Sequence, residues 1–510
     1  MPRGILRSEA EEKHSEEKGN GRADAELKKQ QKPGQCPEGF YAAKRRKSTL
    51  KEKGNGRADA ELIKQQEPGQ CPEGFYAAKR RKSTLKEKGI GRADAELIKG
   101  RKQMEIITGG VTAAQGFLAA CTAAGIKYQN RVDMAMVYSK APCKCAGTFT
   151  SNIVKAAPVL WDRNIVEKSE FAQAVVVNAG IANACTGAEG LSYCEETAKT
   201  AGECLGIQKD AVFVASTGVI GKQLPIERIV AGTKAMVPQL SETVEAGTAA
   251  SKAIMTTDTI NKEIAVTFTI GDKKVTLGGM CKGSGMIHPN MCTMLAFLTT
   301  DLAISKELLQ EALSEDIKDT YNMISVDGDT STNDTVLLFA NGLAGNEEIR
   351  EKNLDYEEFK KALRIVNEFL AKSMAGDGEG ATKLFEVKII HAKDKQQAVT
   401  LAKSVACSSL VKAMVYGNDA NWGRVLCAMG YSGASFDADK VELYIESELG
   451  KLQLVANGMA TDYSEELAAK IFSAKEVTAI ADIKQGEASA TAWGCDLTYD
   501  YVKINADYRS

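Results

Sequence analysis

The sequence has few of the residues on which metal sites and membrane spans depend. Only three histidines and three tryptophans occur in 510 residues, and aromatic residues make up 6%. No run of 18 or more apolar residues is present, so no membrane-spanning helix is expected. The opening MPRGILRSEAEEKH lacks the apolar stretch of a signal peptide and carries acids that transit peptides avoid. These absences predict a soluble, cytoplasmic protein that does not bind membranes.

The thirteen cysteines do not form a disulfide framework, because their number is odd and they are scattered through apolar or Gly/Ala-rich stretches. Reduced, buried thiols are the natural interpretation. Cys143 and Cys145 form a close pair, and their one-residue gap puts both side chains on one face of a strand. Neither a second pair nor a neighbouring histidine completes a zinc site there. We therefore expect no metal.

The net charge of −2 conceals two different kinds of polypeptide. Residues 1–100 carry 24 Lys and Arg against 16 Asp and Glu, whereas the remainder carries 41 against 51. The segment GRADAEL recurs at 21–27, 56–62 and 91–97, a period of 35 residues. Each repeat has too few large aliphatic residues to stack as a solenoid, so residues 1–103 are predicted to be a charged, disordered arm. Its KRRK runs would suit nucleic acid or a partner, but a solvated arm is favoured and no nucleic-acid partner is expected.

From Met104 onward, apolar strand-like runs alternate with periodic helical stretches, which predicts a mixed α/β (α+β) fold of layered sheets covered by helices. The predicted strands include 171–178, 211–216, 263–270, 274–278, 335–340, 384–392 and 496–505. The predicted helices include 191–205, 225–232, 305–317, 356–374, 396–405 and 464–472.

The strongest local feature for chemistry is Gly278–Asp301, GGMCKGSGMIHPNMCTMLAFLTTD. It is a glycine-rich turn containing Lys282, followed by an apolar run that begins at Thr293. The hydroxyl of such a Thr can attack the preceding peptide bond, and hydrolysis of the resulting ester leaves Thr with a free α-amine. That amine titrates near ~7.7 and can act as the base for its own hydroxyl. On local pattern alone, a core residue or helix cap is the commoner fate of such a Thr.

Nine motifs together carry a family resemblance. They read KAPCKCAGTFTSN, VVNAGIANACTG, STGVIGKQLP, AIMTTDT, KGSGMIHPNMCTMLAF, SVDGDTSTNDTV, DGEGATK, YGNDANWGRV and TYDYVKINADYRS. In this order they resemble the ornithine acetyltransferase (ArgJ) family from about Ile106 to Ser510. The resemblance implies an αββα-type sandwich that cleaves itself between Cys292 and Thr293. Residues 104–292 would then be the α chain and 293–510 the β chain, although Cys292 stands where the family usually has Ala.

The resemblance also implies the site residues. Thr293 would be the nucleophile, and Thr217 with Gly218 would form the oxyanion hole. The substrate-binding positions would be Thr256, Lys282, Thr293, Glu379, Asn505 and Ser510. Lys282 would neutralise the substrate carboxylate and Glu379 would pair with the ornithine ammonium, while Asn505 and Ser510 would hydrogen-bond the α-substituents.

The implied function is glutamate N-acetyltransferase activity in arginine biosynthesis. Acetyl would pass from N2-acetylornithine to Thr293 and then to glutamate, with no cofactor; the motifs leave open whether acetyl-CoA also donates acetyl in a multifunctional enzyme. A heterotetramer of two α and two β chains is implied. Two alternatives remain: a self-cleaving amidase or aminopeptidase that passes the acyl group to water, and a binding scaffold that acts through the basic repeat arm.

Other conspicuous residues receive structural interpretations. SVDGDTSTNDT resembles a calcium loop but lacks Gly at its sixth position (Thr332) and Glu at its twelfth (Leu338), so it is interpreted as a polar turn or active-site wall. His288 is interpreted as structural or substrate-lining, because no Asp is placed to orient it. Trp422 is expected to pack against the core. The glycine-rich stretches match no nucleotide-binding pattern.

Overall fold

The computed structural model describes residues 104–288 and 294–507, which all belong to one compact unit. The predicted repeat arm, Cys292, Thr293 and Ser510 lie outside the described residues. Sixteen strands form a nine-stranded and a seven-stranded sheet in the described part of the chain. Both sheets mix parallel and antiparallel neighbours, which confirms the predicted mixture of α and β elements.

The nine-stranded sheet has the order β1-β6-β7-β8-β10-β3-β4-β5, with β2 paired to β3. Its parallel pairs are β8 with β10 and β4 with β5. The strands are β1 Glu105–Ile107, β2 Phe117–Thr122, β3 Met134–Phe149, β4 Ala172–Ile181, β5 Val212–Val219, β6 Lys262–Ile270, β7 Lys273–Lys282, β8 Leu295–Thr300 and β10 Thr335–Ala340. All residues of β8 and β10 are buried, and most of them are apolar, which is typical of strands covered on both faces.

The seven-stranded sheet has the order β14-β13-β12-β15-β11-β16-β9. Its strands are β9 Ile324–Ser325, β11 Leu384–Ala392, β12 Glu442–Ser447, β13 Gly450–Ala456, β14 Met459–Ala460, β15 Glu476–Asp482 and β16 Ala488–Cys495. In β11 and β15 buried residues alternate with more exposed ones, so this sheet has one face toward the core.

Eleven α-helices lie in the described residues, and several begin with a side chain that caps the first turn. Ser305, Asp394 and Ser464 each accept a hydrogen bond from a backbone N–H three residues ahead. The helices are α1 Ala157–Lys168, α2 Ala188–Leu205, α3 Ile226–Met236, α4 Val244–Ala253, α5 Lys306–Asp316, α6 Leu354–Gly376, α7 Lys395–Cys407, α8 Ser409–Gly417, α9 Trp422–Gly430, α10 Glu465–Phe472 and α11 Tyr499–Ala506.

Helix α6 connects the two sheets through its packing. It contacts β6 and β7 of the first sheet and β11 and β16 of the second, and its residues belong to the largest buried core cluster. A second cluster fills the space between α4 and the strands β3, β4, β8 and β10. The layered arrangement of helices and sheets follows from these contacts, whereas the finer αββα order remains a prediction.

Most predicted elements are present, with ends shifted by a few residues, but the strand predicted for 496–505 is wrong. This segment forms α11, Tyr499–Ala506. The β-forming residues Tyr499, Tyr501, Val502 and Ile504 favoured a strand, yet none of the helix's residues is buried, so no sheet surface decides their conformation. Asp500 in the first turn pairs with Lys503 in the last at 2.7 Å, which suits the helix dipole.

No single helix among residues 104–288 and 294–507 has the length and apolar character to cross a membrane. Within these ranges one bent pair, α7 with α8, passes a test of length and composition, with a 58° angle between its members.

The core of the nine-stranded sheet supplies a stability prediction. Phe213 of β5 and Phe339 of β10 are buried and meet edge to face, with ring centroids 5.5 Å apart at 86°. We expect Phe339→Ala to lower the free energy of unfolding by about 3–5 kcal/mol, because it removes this contact and leaves a cavity. Urea denaturation of the variant and of Tyr431→Ala, at a side chain 63% exposed, measures the difference. Equal losses in both variants would contradict the described packing.

Candidate active site

A cavity of about 310 Å³ lies where the ends of β5, β7 and β8 approach one another. All six described residues that the sequence assigned to catalysis or substrate binding line it, although they come from five separate segments of the chain. They are Thr217, Gly218, Thr256, Lys282, Glu379 and Asn505. The cavity is also lined by Met294 and Leu295, which directly follow Thr293 in the sequence.

Thr217 and Gly218 reach the cavity because β4 and β5 approach unusually closely at this point. Gly218 has φ +129°, and a Cβ there would lie 2.2 Å from the carbonyl carbon of Gly180 on β4. Any other residue would therefore force the two strands apart. The pairing of β4 with β5 shifts register at Gly180, which ends the regular ladder beside the cavity.

Asn333 supports this end of the sheet from the other side of the cavity. Its Nδ2 donates hydrogen bonds to the backbone oxygens of Ala182, at 2.6 Å, and Ser216, at 2.8 Å. Its Oδ1 accepts one from the Thr332 hydroxyl at 2.7 Å. Asn333 thereby connects Ala182, which follows β4, and Ser216 of β5 to the loop that precedes β10.

Lys282 and Thr256 form one wall of the cavity. Lys282 is the last residue of β7 and is 7% exposed, and its Nζ donates a hydrogen bond of 2.9 Å to Thr256 Oγ1. The carboxylate of Asp258 lies 3.7 Å from the same Nζ. A cation is thus held at the cavity wall, and its contacts with the described residues use only part of its hydrogen-bonding capacity.

Glu379 forms another wall of the cavity. It is 5% exposed and its Oε2 accepts a hydrogen bond of 2.7 Å from Asn505 Nδ2 in α11. Gly285 packs directly against this carboxyl group, because a Cβ there would lie 2.3 Å from the Glu379 carboxyl carbon and would displace the Glu379 side chain. The cavity therefore presents an ammonium on one wall and a carboxylate on another, which suits a small molecule carrying both kinds of charge.

Behind these walls lies a buried group of charges that sequence reasoning missed. Lys262 Nζ is 2.8 Å from Asp258 Oδ1 and 2.6 Å from Asp377 Oδ2, and the Lys262 and Asp258 side chains are fully buried. Burial alone would raise the pKa of Asp258, but Lys282 and Lys262 outweigh it and hold that pKa well below its usual range. Asp258 lies in the MTTDT motif and Asp377 in DGEGATK, whereas Lys262 sits in no motif.

The loop SVDGDTSTNDT is the active-site wall that the sequence suggested. Ser331, Asn333 and Asp334 line the cavity. Asp327 accepts backbone hydrogen bonds from Met286 and Ile287, at 2.6 and 2.8 Å, and so holds the turn after Lys282. No group of His, Cys, Asp and Glu side chains suited to a metal is present within 104–288 and 294–507.

The remaining conspicuous residues have structural surroundings. His288 Nδ1 lies 3.1 Å from Ser325 Oγ and 3.3 Å from Cys407 Sγ, and burial together with Lys403 lowers its pKa. Cys143 and Cys145 are both buried in one core cluster, as expected for one face of a strand. Burial raises the pKa of Cys143 to about 12, so its thiol stays protonated. Trp422 packs against the main core cluster, as predicted.

The chain is similar in sequence to a known protein family and to individual members of it. The model of the ArgJ family matches residues 118–510. The arginine biosynthesis bifunctional protein ArgJ of Symbiobacterium thermophilum is 52% identical over 409 residues, which are 80% of this chain and all of the relative. The protein of the same name from Bacillus subtilis is 44% identical over 408 residues, covering 80% of this chain and 98% of the relative.

Two solved structures are also similar. ArgJ from Bacillus halodurans is 46% identical, with a TM-score of 0.40, covering 42% of this chain and 99% of that one. Ornithine acetyltransferase from Mycobacterium tuberculosis, complexed with ornithine, is 38% identical, with a TM-score of 0.35, covering 37% of this chain and 100% of that one. The match to the family model and the sequence identity to these relatives confirm the resemblance seen in the motifs. The chain belongs to the ArgJ family.

Proposed function

We propose that the protein is an ornithine acetyltransferase that moves acetyl from N2-acetylornithine to glutamate through an acetyl ester on Thr293. The observation that carries this proposal is the single cavity that collects Thr217, Gly218, Lys282 and Glu379 beside Met294, the neighbour of Thr293. Its relatives are named for a bifunctional role in arginine biosynthesis.

The active enzyme would form when the peptide bond between Cys292 and Thr293 breaks. Residues 104–292 would then contribute Thr217, Gly218, Thr256 and Lys282, and residues 293–510 would contribute the nucleophile and Glu379. Because strands from both products are paired within one sheet, as β7 is with β8, the cut would leave the site assembled. Two copies of each product would make the heterotetramer.

The charges of the cavity suit acetylornithine. Lys282 would bind the α-carboxylate and Glu379 the side-chain ammonium, with Asn505 holding the Glu379 carboxylate in place. Ser510 would assist Asn505 at the α-substituents. The acetyl carbonyl would then point toward Thr217 and Gly218.

Acetyl transfer would proceed in two balanced steps. The Thr293 hydroxyl attacks the acetyl carbon while its proton passes to the Thr293 α-amine, and the Thr217 hydroxyl and Gly218 N–H stabilise the oxyanion. The C–N bond then breaks, and the ornithine amine leaves with the proton from the Thr293 ammonium. The neutral glutamate amine then attacks the ester carbonyl carbon, the bond between the acetyl carbon and Thr293 Oγ breaks, and the amine proton passes through the Thr293 α-amine to Thr293 Oγ. Burial of Lys282 and Glu379 limits the water that would hydrolyse the ester.

A product assay distinguishes this function from hydrolysis by a self-cleaving amidase. With acetylornithine and glutamate together, we expect steady formation of acetylglutamate and ornithine in equal amounts. With acetylornithine alone, ornithine release should stop after about one equivalent per site, because the ester waits for an acceptor amine. Chromatography of the products makes the measurement, and Thr293→Ala is the inactive control. Continued acetate release that glutamate does not change would show a hydrolase instead.

The oxyanion assignment predicts a specific rate loss. Thr217→Val keeps the shape of the side chain but removes its hydroxyl, so we expect kcat to fall by about 10²–10³ with little change in KM. Thr217→Ser, which retains the hydroxyl, should stay within about tenfold of wild type. Steady-state kinetics with acetylornithine and glutamate test both variants. Equal activity of the Val and Ser variants would remove Thr217 from the mechanism.

A further inference from the structure

A cluster of three side chains, Asp258, Lys262 and Asp377, lies behind the cavity and is here termed the Lys262 cluster. Lys262 Nζ reaches both carboxylates, at 2.8 and 2.6 Å, and also donates to the Ile260 backbone oxygen at 3.2 Å. The Lys262 and Asp258 side chains have no exposure and that of Asp377 is 6% exposed. Three acceptors satisfy the three hydrogens of the ammonium, so its position is fixed.

One carboxylate of the cluster holds the wall that carries the cation. Asp258 Oδ2 accepts the Thr256 N–H at 3.0 Å, and Oδ1 accepts the Gly283 N–H at 2.7 Å. These two backbone groups belong to a cavity residue and to the neighbour of Lys282. Because Asp258 also lies 3.7 Å from Lys282 Nζ, it attracts that ammonium toward Thr256.

Asp377, which bears the other carboxylate, is linked through its backbone to the wall that carries the anion. Asp377 directly follows α6 and accepts backbone N–H groups from Thr259, at 3.1 Å, and Ile260, at 3.4 Å. Its own backbone oxygen accepts the Ser284 hydroxyl at 2.7 Å. Ser284 in turn receives the Glu379 N–H on its backbone oxygen at 2.9 Å. Glu379 is thus fixed two residues beyond a buried ion pair.

We propose that the Lys262 cluster is a positioning device that sets the separation between the Lys282 and Glu379 charges, and thereby the enzyme's preference for an acyl donor with both a carboxylate and a distal ammonium. Because this proposal names the acyl donor, it rests on the proposed function. Buried ion pairs add little net stability because loss of hydration offsets their attraction. Their geometric effect remains. The Asp258 carboxylate holds the backbone N–H groups of Thr256 and Gly283. The Asp377 carboxylate, two residues before Glu379 in the chain, is held by Thr259 and Ile260.

The cluster also joins the two products of the proposed cleavage. Asp258 and Lys262 precede the cut and Asp377 follows it, so no covalent link would hold the two walls together in the mature enzyme. The Lys262 ammonium then contributes to holding them, together with the pairing of β7 with β8 and the hydrogen bond from Glu379 N–H to the Ser284 oxygen. A purely structural cluster would stabilise the fold without affecting which donor binds.

Two Asn variants test the contributions of Asp258 and Asp377 separately. Asp258→Asn and Asp377→Asn keep the side-chain size and an acceptor oxygen but remove one charge each. The donors are N-acetylornithine and N-acetylnorvaline, which has the same chain without the distal ammonium. Lys262→Met is the third variant; if it does not fold, the Asn variants carry the test. Asp316→Asn is the matched control. Asp316 is 6% exposed and its Oδ1 lies 2.6 Å from Arg364 Nε, and neither residue lines the cavity.

For Asp258→Asn we expect KM to rise about tenfold or more for both donors, because each uses the Lys282 wall, with kcat changed less than about threefold. For Asp377→Asn we expect KM to rise about tenfold or more for acetylornithine alone, because acetylnorvaline makes no ion pair with Glu379. The wild-type preference for acetylornithine should therefore shrink only in this variant. The Asp316 control should lower the thermal midpoint and leave both KM values unchanged.

Calorimetric titration with ornithine separates this proposal from the proposed function, since binding needs no turnover. If wild type forms no acetylglutamate, the function fails while weaker ornithine binding in the Asn variants would still support the cluster's role. If the Asn variants lose thermal stability as the control does, yet keep wild-type donor affinities and the same donor preference, the positioning proposal is wrong.

Discussion

The arrangement of the cavity depends on one ammonium group that has no access to solvent. Lys262 Nζ lies between Asp258 and Asp377, 2.8 and 2.6 Å away. Asp258 holds the backbone beside Lys282, and Asp377 precedes Glu379 by two residues. Burial works against the charged form of Lys262, but the two carboxylates outweigh it and raise its pKa, so the ammonium persists across physiological pH. Loss of that charge would remove the ion-pair partner of the buried Asp377 and leave Asp258 with Lys282 at 3.7 Å, a larger penalty than the cluster's net contribution.

A second constraint is steric and acts at the other end of the cavity. Gly218 of β5 and Gly180 of β4 both have positive φ. Their backbones approach so closely that β5 has no room for a Cβ at position 218. The amide of Asn333 bonds to the carbonyls on both sides of this contact. Thr217 is therefore carried into the cavity by rigid backbone, which is the support that a preorganised oxyanion site requires.

Some elements could be predicted because their local sequence patterns favour the same structure that packing in the folded protein imposes. The apolar run Thr335–Ala340 is a strand with the predicted bounds and is buried throughout, and Ser305 caps α5 as its sequence indicates. The segment 496–505 could not be predicted in this way. Its helix lies on the surface, where no sheet enforces the β preference of its aromatic and branched residues.

The cavity residues could be named because the motifs that contain them resemble those of the ArgJ family; their local patterns alone did not assign these roles. Lys262 could not be named, because it begins an ordinary strand and its partner Asp377 is 115 residues away. Only folding brings these charges together, so no spacing rule identifies them. The same limit applies to Asn333, whose motif was interpreted as a wall but whose contacts with Ser216 span 117 residues.

The central claim is that Thr293 becomes an N-terminal nucleophile that carries the acetyl group. Intact mass spectrometry of the purified protein after mixing with acetylornithine alone tests it most directly. The account predicts fragments for residues 1–292 and 293–510, the second heavier by one acetyl group, and a Thr293→Ala variant that stays whole and unacetylated. A wild-type chain that is active yet uncut, or an acetyl group carried only by the first fragment, would contradict it.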